Sequence, residues 1–429
     1  MEWAGGLFLT TLVLILWRPR GLGIGWTAAG AAGVALVTHL VTLADVVAVA
    51  RMVWDATLAF IAAIVLAHGM DRAGFFDWAA IRLARAARGD GRRVFLYVMA
   101  LGAATSAVLN NDGAILILTP VVLEKIRLLR LDARRMLPFV MASGFVADTT
   151  SLPLVISNLV NILSADSFHI GFIAYAARMI LPDLVSFAAS AAVMYLWFRR
   201  DIPRRFEPSE LPDAATVIRH RGVFRLAWGM LALLVGGDMV AEFVHVPVSA
   251  VAWLAASILT VAGVRARVMR AHQVAREAPW SVIVFSIGMY LVVDAMQNAG
   301  LTSWLERCMA AMVAHGLFIG VLGTGFLAAL LSSVANNLPA TMLGAVSIHA
   351  LHLSPAWTHA LAYANVIGCD LGPKMTPVGS LVTLLWLHVL RREGIRVTAL
   401  AYMRLGVVCT VPVLITALLA LYLVLRVTN

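Results

Sequence analysis

Two pairs of adjacent asparagines interrupt long apolar runs. Asn110-Asn111 is followed by Asp112 and Gly113, and Asn336-Asn337, 226 residues later, by Leu338 and Pro339. Each primary amide carries both donors and acceptors on a short side chain. Two further breaks each hold a carboxylate: Asp148-Thr-Thr-Ser-Leu-Pro153 and Asp370-Leu-Gly-Pro-Lys-Met-Thr-Pro377. Polar groups and helix breakers inside apolar runs are costly unless they line a cavity, where they bind a small polar solute or carry a proton or cation. The candidate solute-binding residues are Asn110, Asn111, Asn336, Asn337, Thr149, Asn158, Ser380 and Thr376. Asp112, Asp148, Asp370 and Lys374 are the candidates for proton or ion coupling, with Lys374 a counter-charge to the carboxylates.

Packing alternatives stand beside these. Asp112 could cap the helix it opens, Lys374 could snorkel to the surface, and Asn158 and Ser380 could bond between helices. His39, His68, Asp183, Asp238 and Asp294 fall in or near span ends and read as interfacial or packing residues. His349, His352 and His359 have no nearby cysteine and no metal-ligand spacing, so no metal site is expected. Cys308, Cys369 and Cys409 are too scattered for a disulfide frame.

The elements that hold these residues must be membrane helices. Of 429 residues, 61% are hydrophobic and 13% charged, against roughly 25% charged in soluble domains. Apolar runs approaching the ~20 residues needed to span a bilayer recur from end to end. Met1–Trp17 reads as a first span rather than a removed signal, since no small-residue cleavage site precedes Arg18. The net charge of +10 does not point to nucleic acid. Lys and Arg gather in short loops, at 18–20, 71–93, 125–135, 199–221, 265–276 and 391–396, whereas the alternate segments hold only Arg51, Arg307 and Arg426. That asymmetry marks the cytoplasmic side.

One topology fits the pattern: an all-α polytopic protein of about ten transmembrane helices, with both termini on the periplasmic side. The expected spans are about 4–17, 24–41, 55–70, 138–164, 173–198, 223–240, 247–264, 280–296, 357–390 and 402–425. Residues 94–124 and 316–348 are expected to form re-entrant hairpins, because a full crossing at 94–124 would put the basic 125–135 loop outside. The helices 138–164 and 357–390 are expected to be broken. Phe75–Ile81 reads as an interfacial amphipathic helix.

The two halves repeat. An offset of 226 pairs Trp54 with Trp280, Ala73-Gly74 with Ala299-Gly300, Trp78 with Trp304, Ser106 with Ser332, and the two Asn pairs. An offset of 222 pairs Asp148 with Asp370 and Leu159-Val160 with Leu381-Val382. Each half holds five spans, so the second copy is expected to be inverted, with residues 1–198 and 223–429 as repeats and 199–222 as a cytoplasmic linker. Inverted repeats with discontinuous helices characterise secondary transporters. The charged positions break the symmetry: Asp112 faces Leu338, and Lys374 faces Leu152.

Several segments resemble the bacterial arsenite efflux permeases of the ArsB family. They are Gly21-Leu-Gly-Ile-Gly-Trp26, Asn111-Asp-Gly-Ala114, Ile117-Leu-Thr-Pro120, Ser151-Leu-Pro-Leu154, Ser157-Asn-Leu-Val-Asn161, Ala278-Pro-Trp280, Ser286-Ile-Gly-Met-Tyr290 and Asn298-Ala-Gly-Leu301. The most specific runs from Tyr363 through Cys369-Asp-Leu-Gly-Pro-Lys-Met-Thr-Pro377 to Leu381. The resemblance spans nearly the whole chain. It implies extrusion of trivalent arsenic and antimony, as neutral As(OH)3 and Sb(OH)3, across the bacterial inner membrane, with proton coupling. It also implies, in some operons, association with a soluble arsenical pump ATPase. Only Cys369 sits in a broken helix, so recognition of the three hydroxyls is favoured over a tris-thiolate, with Cys369 at most one arsenic contact. No Walker motif occurs, no cofactor is implied, and a transporter rather than an enzyme is expected. The competing readings are a Na+/H+ or other cation/proton antiporter and an intramembrane aspartyl-type enzyme.

Overall fold

The structure is a computed structural model. It describes residues 2–428 apart from 18, 128–132, 206–211, 245, 278, 279, 301, 378, 381, 382, 384, 385, 388, 389, 392 and 396. Among the described residues every regular element is a helix. Helices α1 (Glu2–Trp17) and α2 (Ile24–Val37) lead to α3 (Leu43–Arg72). α3 starts well before the expected residue 55, because Thr42 and Asp45 close a reciprocal capping box at its first turn. α4 (Phe75–Ala86) is the amphipathic helix, with Phe75, Phe76 and Ile81 buried.

The first hairpin follows: α5 (Gly91–Leu109) and α6 (Asn111–Arg127) meet at the single residue Asn110. α7 (Ala133–Thr149) breaks before α8 (Leu159–Ser167), and α9 (Phe172–Phe198) ends the first half. The second half holds α10 (Arg221–Val244), α11 (Val248–Arg265), the short α12 (Ala271–Glu277), α13 (Ser281–Asn298) and α14 (Ser303–Ala314). A second hairpin, α15 (Leu317–Ala335) and α16 (Asn337–Ala350), turns at Asn336. α17 (Pro355–Leu371) runs into a 3-10 turn at Gly372–Met375, and α18 (Ala399–Thr428) closes the chain. The second arm of this broken helix, expected to reach residue 390, falls largely outside the described residues, as does the Leu381-Val382 end of the repeat.

Seven described helices are long and apolar enough to cross a membrane, or eight if α13 and α14 count as one bent span. Length and composition thus select a different set from the ten expected spans. They admit α5 and α15, which turn back at the tips, and pass over the shorter α1 and α2 and the interrupted α7 and α17.

Packing follows one pattern in both halves. α3 lies against α11, and α13 against α2. α5 packs on α6 and α7 as α15 packs on α16 and α17, and α9 lies against α18. The hairpins open at opposite ends of the molecule. At the base of the first, Lys125 pairs with Asp77 at 2.9 Å and Arg127 with Glu393 at 2.7 Å, amid the arginine-rich loops. At the base of the second, His349 contacts Ser167 at 3.1 Å and stacks on Phe168, at the far end of the α7–α8 crossing, where loop 164–172 carries no Lys or Arg.

One seam is tighter than its counterpart. A Cβ on Gly368 of α17 would lie 2.2 Å from the Gly325 carbonyl oxygen of α15, and one on Gly372 2.3 Å from that of Ala329. Only glycine permits backbones to approach so closely. In the first half, a Cβ on Gly102 of α5 would meet α7 no closer than 3.4 Å.

Candidate transport site

The two hairpin tips share an unusual backbone. Asn110 takes φ 78°, ψ 138°, and Asn336 φ 77°, ψ 155°. This region is nearly reserved for glycine, and holding a side-chain-bearing residue there costs about 1–3 kcal/mol. Asn offsets part of that cost when its short side chain bonds locally. Asn110 does so, its Oδ1 accepting from the Asp112 N–H at 3.0 Å. Asn336 does not. It is 3% exposed, and among the described residues neither its Oδ1 nor its Nδ2 has a partner.

The first break arises at Pro153, which has no N–H and forces the preceding residue out of helix. Side chains then meet the freed backbone groups, as a segment without water requires. Asp183 of α9 accepts from the Leu152 N–H at 3.2 Å. The Asn161 amide donates to the carbonyls of Ser151 at 2.6 Å and Leu154 at 3.0 Å. Asn158 caps α8, accepting from the Val160 N–H at 3.1 Å.

The second break, at Gly372-Pro373, is tied in the same way. The Ser333 hydroxyl donates to the Gly372 carbonyl at 2.8 Å, and the Lys374 ammonium to the Asp370 carbonyl at 3.2 Å. The Thr376 hydroxyl donates to the Ser333 carbonyl at 2.6 Å and accepts from the Gly379 N–H at 3.1 Å.

The breaks and tips converge. The Asp370 carboxylate accepts from the Ser151 hydroxyl at 2.7 Å and from the Asn158 amide, joining the two broken helices. The Asn111 amide donates to Asp148 at 2.7 Å, joining the first tip to the first break. The Asn337 N–H donates to the Gly379 carbonyl at 3.2 Å, joining the second tip to the second break. Asp112, half-buried, lies within electrostatic reach of Asp148 and Asp370. Lys374 is 1% exposed and faces Asp148, Asp370 and Asp183. It does not snorkel. Asp148 and Lys374 share a cavity with Tyr402 and Trp386 of about 10 Å³, at the threshold for a single water. Among the described residues this space is too small for a solute larger than water.

Of the remaining candidates, Ser380 is buried. Thr149 turns away, its hydroxyl donating to the Val146 carbonyl at 3.2 Å and accepting from Ser190 at 3.1 Å. The Thr376 hydroxyl is occupied by backbone. Cys369 is buried with its Sγ 3.7 Å from Asn365 Oδ1. Among the described residues no group of three His, Cys, Asp or Glu is placed to hold a metal ion.

Ser151, Asn161 and Asp183 were not expected in the site. Asp183 lies in the interior of α9 rather than near a span end, 7% exposed, and as a packing residue it closes the first break by accepting a backbone N–H. Its distance from either end of the run 173–198 was the signal.

The family described as Arsenical pump membrane protein, ArsB, matches residues 4–425, through both tips and both breaks. The chain belongs to this family. An arsenical pump membrane protein of Escherichia coli is 46% identical over 425 residues, 99% of each chain. One of Yersinia enterocolitica is likewise 46% identical, again over 99% of each. Among solved structures, the YdaH transporter of Alcanivorax borkumensis, described as having an unusual topology, matches with a TM-score of 0.56 at 16% identity. The match covers 89% of this chain and 86% of that one. That likeness speaks for the fold alone.

Proposed function

We propose that the chain exports trivalent arsenic and antimony, as As(OH)3 and Sb(OH)3, in exchange for protons across the bacterial inner membrane. The arginine-rich face is then cytoplasmic and both termini periplasmic, and residues 1–198 and 223–429 act as inverted repeats about the site. Membership of the family supports the substrate class. The observation that carries the mechanism is the single buried network linking Asn111 to Asp148 and Ser151 and Asn158 to Asp370, beside Lys374.

Charge balance favours protons as the coupling ion. Asp112, Asp148, Asp183 and Asp370 stand together, and among the described residues Lys374 is the cation acting on them. One ammonium cannot compensate four ionised carboxylates in a buried site. Protons taken up there relieve the imbalance and are given back as the solute binds. A neutral trihydroxide suits the donors present. The unspent Asn336 amide offers donor and acceptor, and the Asn111–Asp148 bond can open to offer more. Since the space beside Asp148 and Lys374 is too small for the solute, loading requires the hairpins to move relative to the broken helices, in keeping with alternating access.

Arsenite/proton exchange in proteoliposomes tests this reading. Replacing both Asp112 and Asp148 by Asn is expected to abolish it, and persistent exchange removes those residues from the coupling role. The same carboxylates could instead serve a sodium/proton antiporter. Sodium-dependent collapse of a pH gradient without any response to arsenite would establish that alternative. The soluble arsenical pump ATPase is a partner to be tested by co-purification.

A further inference from the structure

A cavity of about 620 Å³ lies at the arginine-poor end, apart from the buried network. Its walls include Asp55 of α3, Asp166 at the end of α8, Tyr290 of α13 and His349 of α16. Asp55 accepts from the Ser249 N–H at 3.0 Å, which ties it to the first turn of α11. Asp166 stands within electrostatic reach of Asp55.

A third carboxylate, Asp238 near the end of α10, lies within electrostatic reach of Asp55. One turn further along α10, Glu242 accepts from the Ile173 N–H at 2.8 Å and packs against Gly171 on the cavity wall. Residues four apart share a helix face, so Asp238 lies on the α10 face that Glu242 turns toward Gly171, one turn deeper and behind the cavity wall. It is 1% exposed, and among the described residues neither of its oxygens has a hydrogen-bond partner. It therefore serves neither as a cap nor in an ion pair. A carboxyl group buried without donors is tolerated while it carries a proton and is costly once it loses it. The other charged or titratable side chains on the cavity are Arg51, exposed at its edge, and His169 and His349. His349 is held by Ser167 and Phe168.

We propose that Asp238, with Asp55 and Asp166, forms the outer proton-uptake site of the exchanger. The step is the reversible addition of one proton to a carboxylate and needs no other reactant. It rests on the proton-antiport reading.

In everted membrane vesicles this cavity faces the lumen. Arsenite uptake is measured against lumenal pH at fixed outside pH, beside arsenite–arsenite exchange at equal pH on both sides. Asp238→Asn is expected to flatten the lumenal-pH response, or to move its midpoint by about one unit, with a smaller loss in exchange. Asp238→Glu is expected to restore the response. A wild-type lumenal-pH response in Asp238→Asn overturns the inference. If unsubstituted protein ignores pH on both sides, the antiport reading fails and the inference with it. A hydrophobic carbodiimide, which reacts with protonated carboxyls, supplies a readout that needs no variant. Peptide mass analysis is expected to find Asp238 modified, less so as lumenal pH rises. Absence of modification at every pH also overturns the proposal.

Discussion

At the first tip the Asn110 carboxamide turns back onto its own chain, and its neighbour Asn111 is bound to Asp148. At the second tip the backbone is the same, yet the Asn336 amide is bound to nothing among the described residues. Asp112 follows the first tip, and Leu338 stands in its place at the second. A shared turn thus serves two chemistries. The first tip binds one carboxylate, through the Asn111 amide, and leaves Asn110 Nδ2 and Asn111 Oδ1 without a partner among the described residues; under the proposed exchange it is the tip nearest the proton-linked groups. The second leaves both polar atoms of Asn336 unpartnered at a strained position, and under the proposed exchange it is the tip that holds the solute. Lys374 sits with the second break while most of its carboxylate partners sit in the first half, so neither half is electrically complete alone.

That interdependence is open to the harshest test. Lys374→Met removes the cation that acts on Asp148, Asp370 and Asp183, and leaving buried carboxylates uncompensated costs up to about 3–5 kcal/mol. The melting temperature in detergent should fall sharply, and adding Asp370→Asn should recover part of the loss. An unchanged melt would show that the halves are not joined by charge. Gly368→Ala comes next, because its Cβ would strike the α15 backbone, and overpacking costs about 1–3 kcal/mol. Gly102→Ala, with room at the equivalent helix pair, should be mild by the same thermal assay.

Exchanging each tip residue for glycine separates backbone from amide. Asn336→Gly keeps the turn and deletes the amide, and arsenite binding should weaken by about ten-fold, the worth of one or two hydrogen bonds. Asn110→Gly should leave binding closer to wild type in the same titration, and equal losses would erase the distinction between the tips. The smallest effect concerns the start of α3, whose capping box has no counterpart at α13. The Thr42 backbone N–H, and then its hydroxyl, hold the Asp45 carboxyl below its usual range. The cap therefore contributes at neutral pH and is lost as pH falls below ~4. Asp45→Asn should speed amide hydrogen exchange at residues 43–46 at neutral pH and remove its acid dependence.

Much of the site is visible in residue types. Asn, Asp, Gly and Pro stand out against an apolar background, so both tips and both breaks can be located without coordinates, and loop arginines indicate which way each hairpin opens. What escapes is the set of residues that serve the breaks. Asp183 and Asn161 matter because particular N–H and C=O groups lose their helical partners, and those groups are known only once Pro153 has turned the chain and α9 lies beside it. Thr149 and Thr376 mislead for the same reason, since their hydroxyls are taken up by Ser190 and by backbone. The early start of α3 depends on a capping box from Thr42 to Asp45 that hydrophobic patterning ignores.

The glycine seam between α15 and α17 has a mechanical consequence. Two helices whose backbones approach this closely, with only small side chains such as Ala328 and Ser332 between them, resist sliding past one another. At the α5–α7 contact there is room for a Cβ at Gly102, although the Ser106 hydroxyl donates to the Ala147 carbonyl across it, so under the proposed alternating access this helix pair has more freedom to shift than the α15–α17 seam.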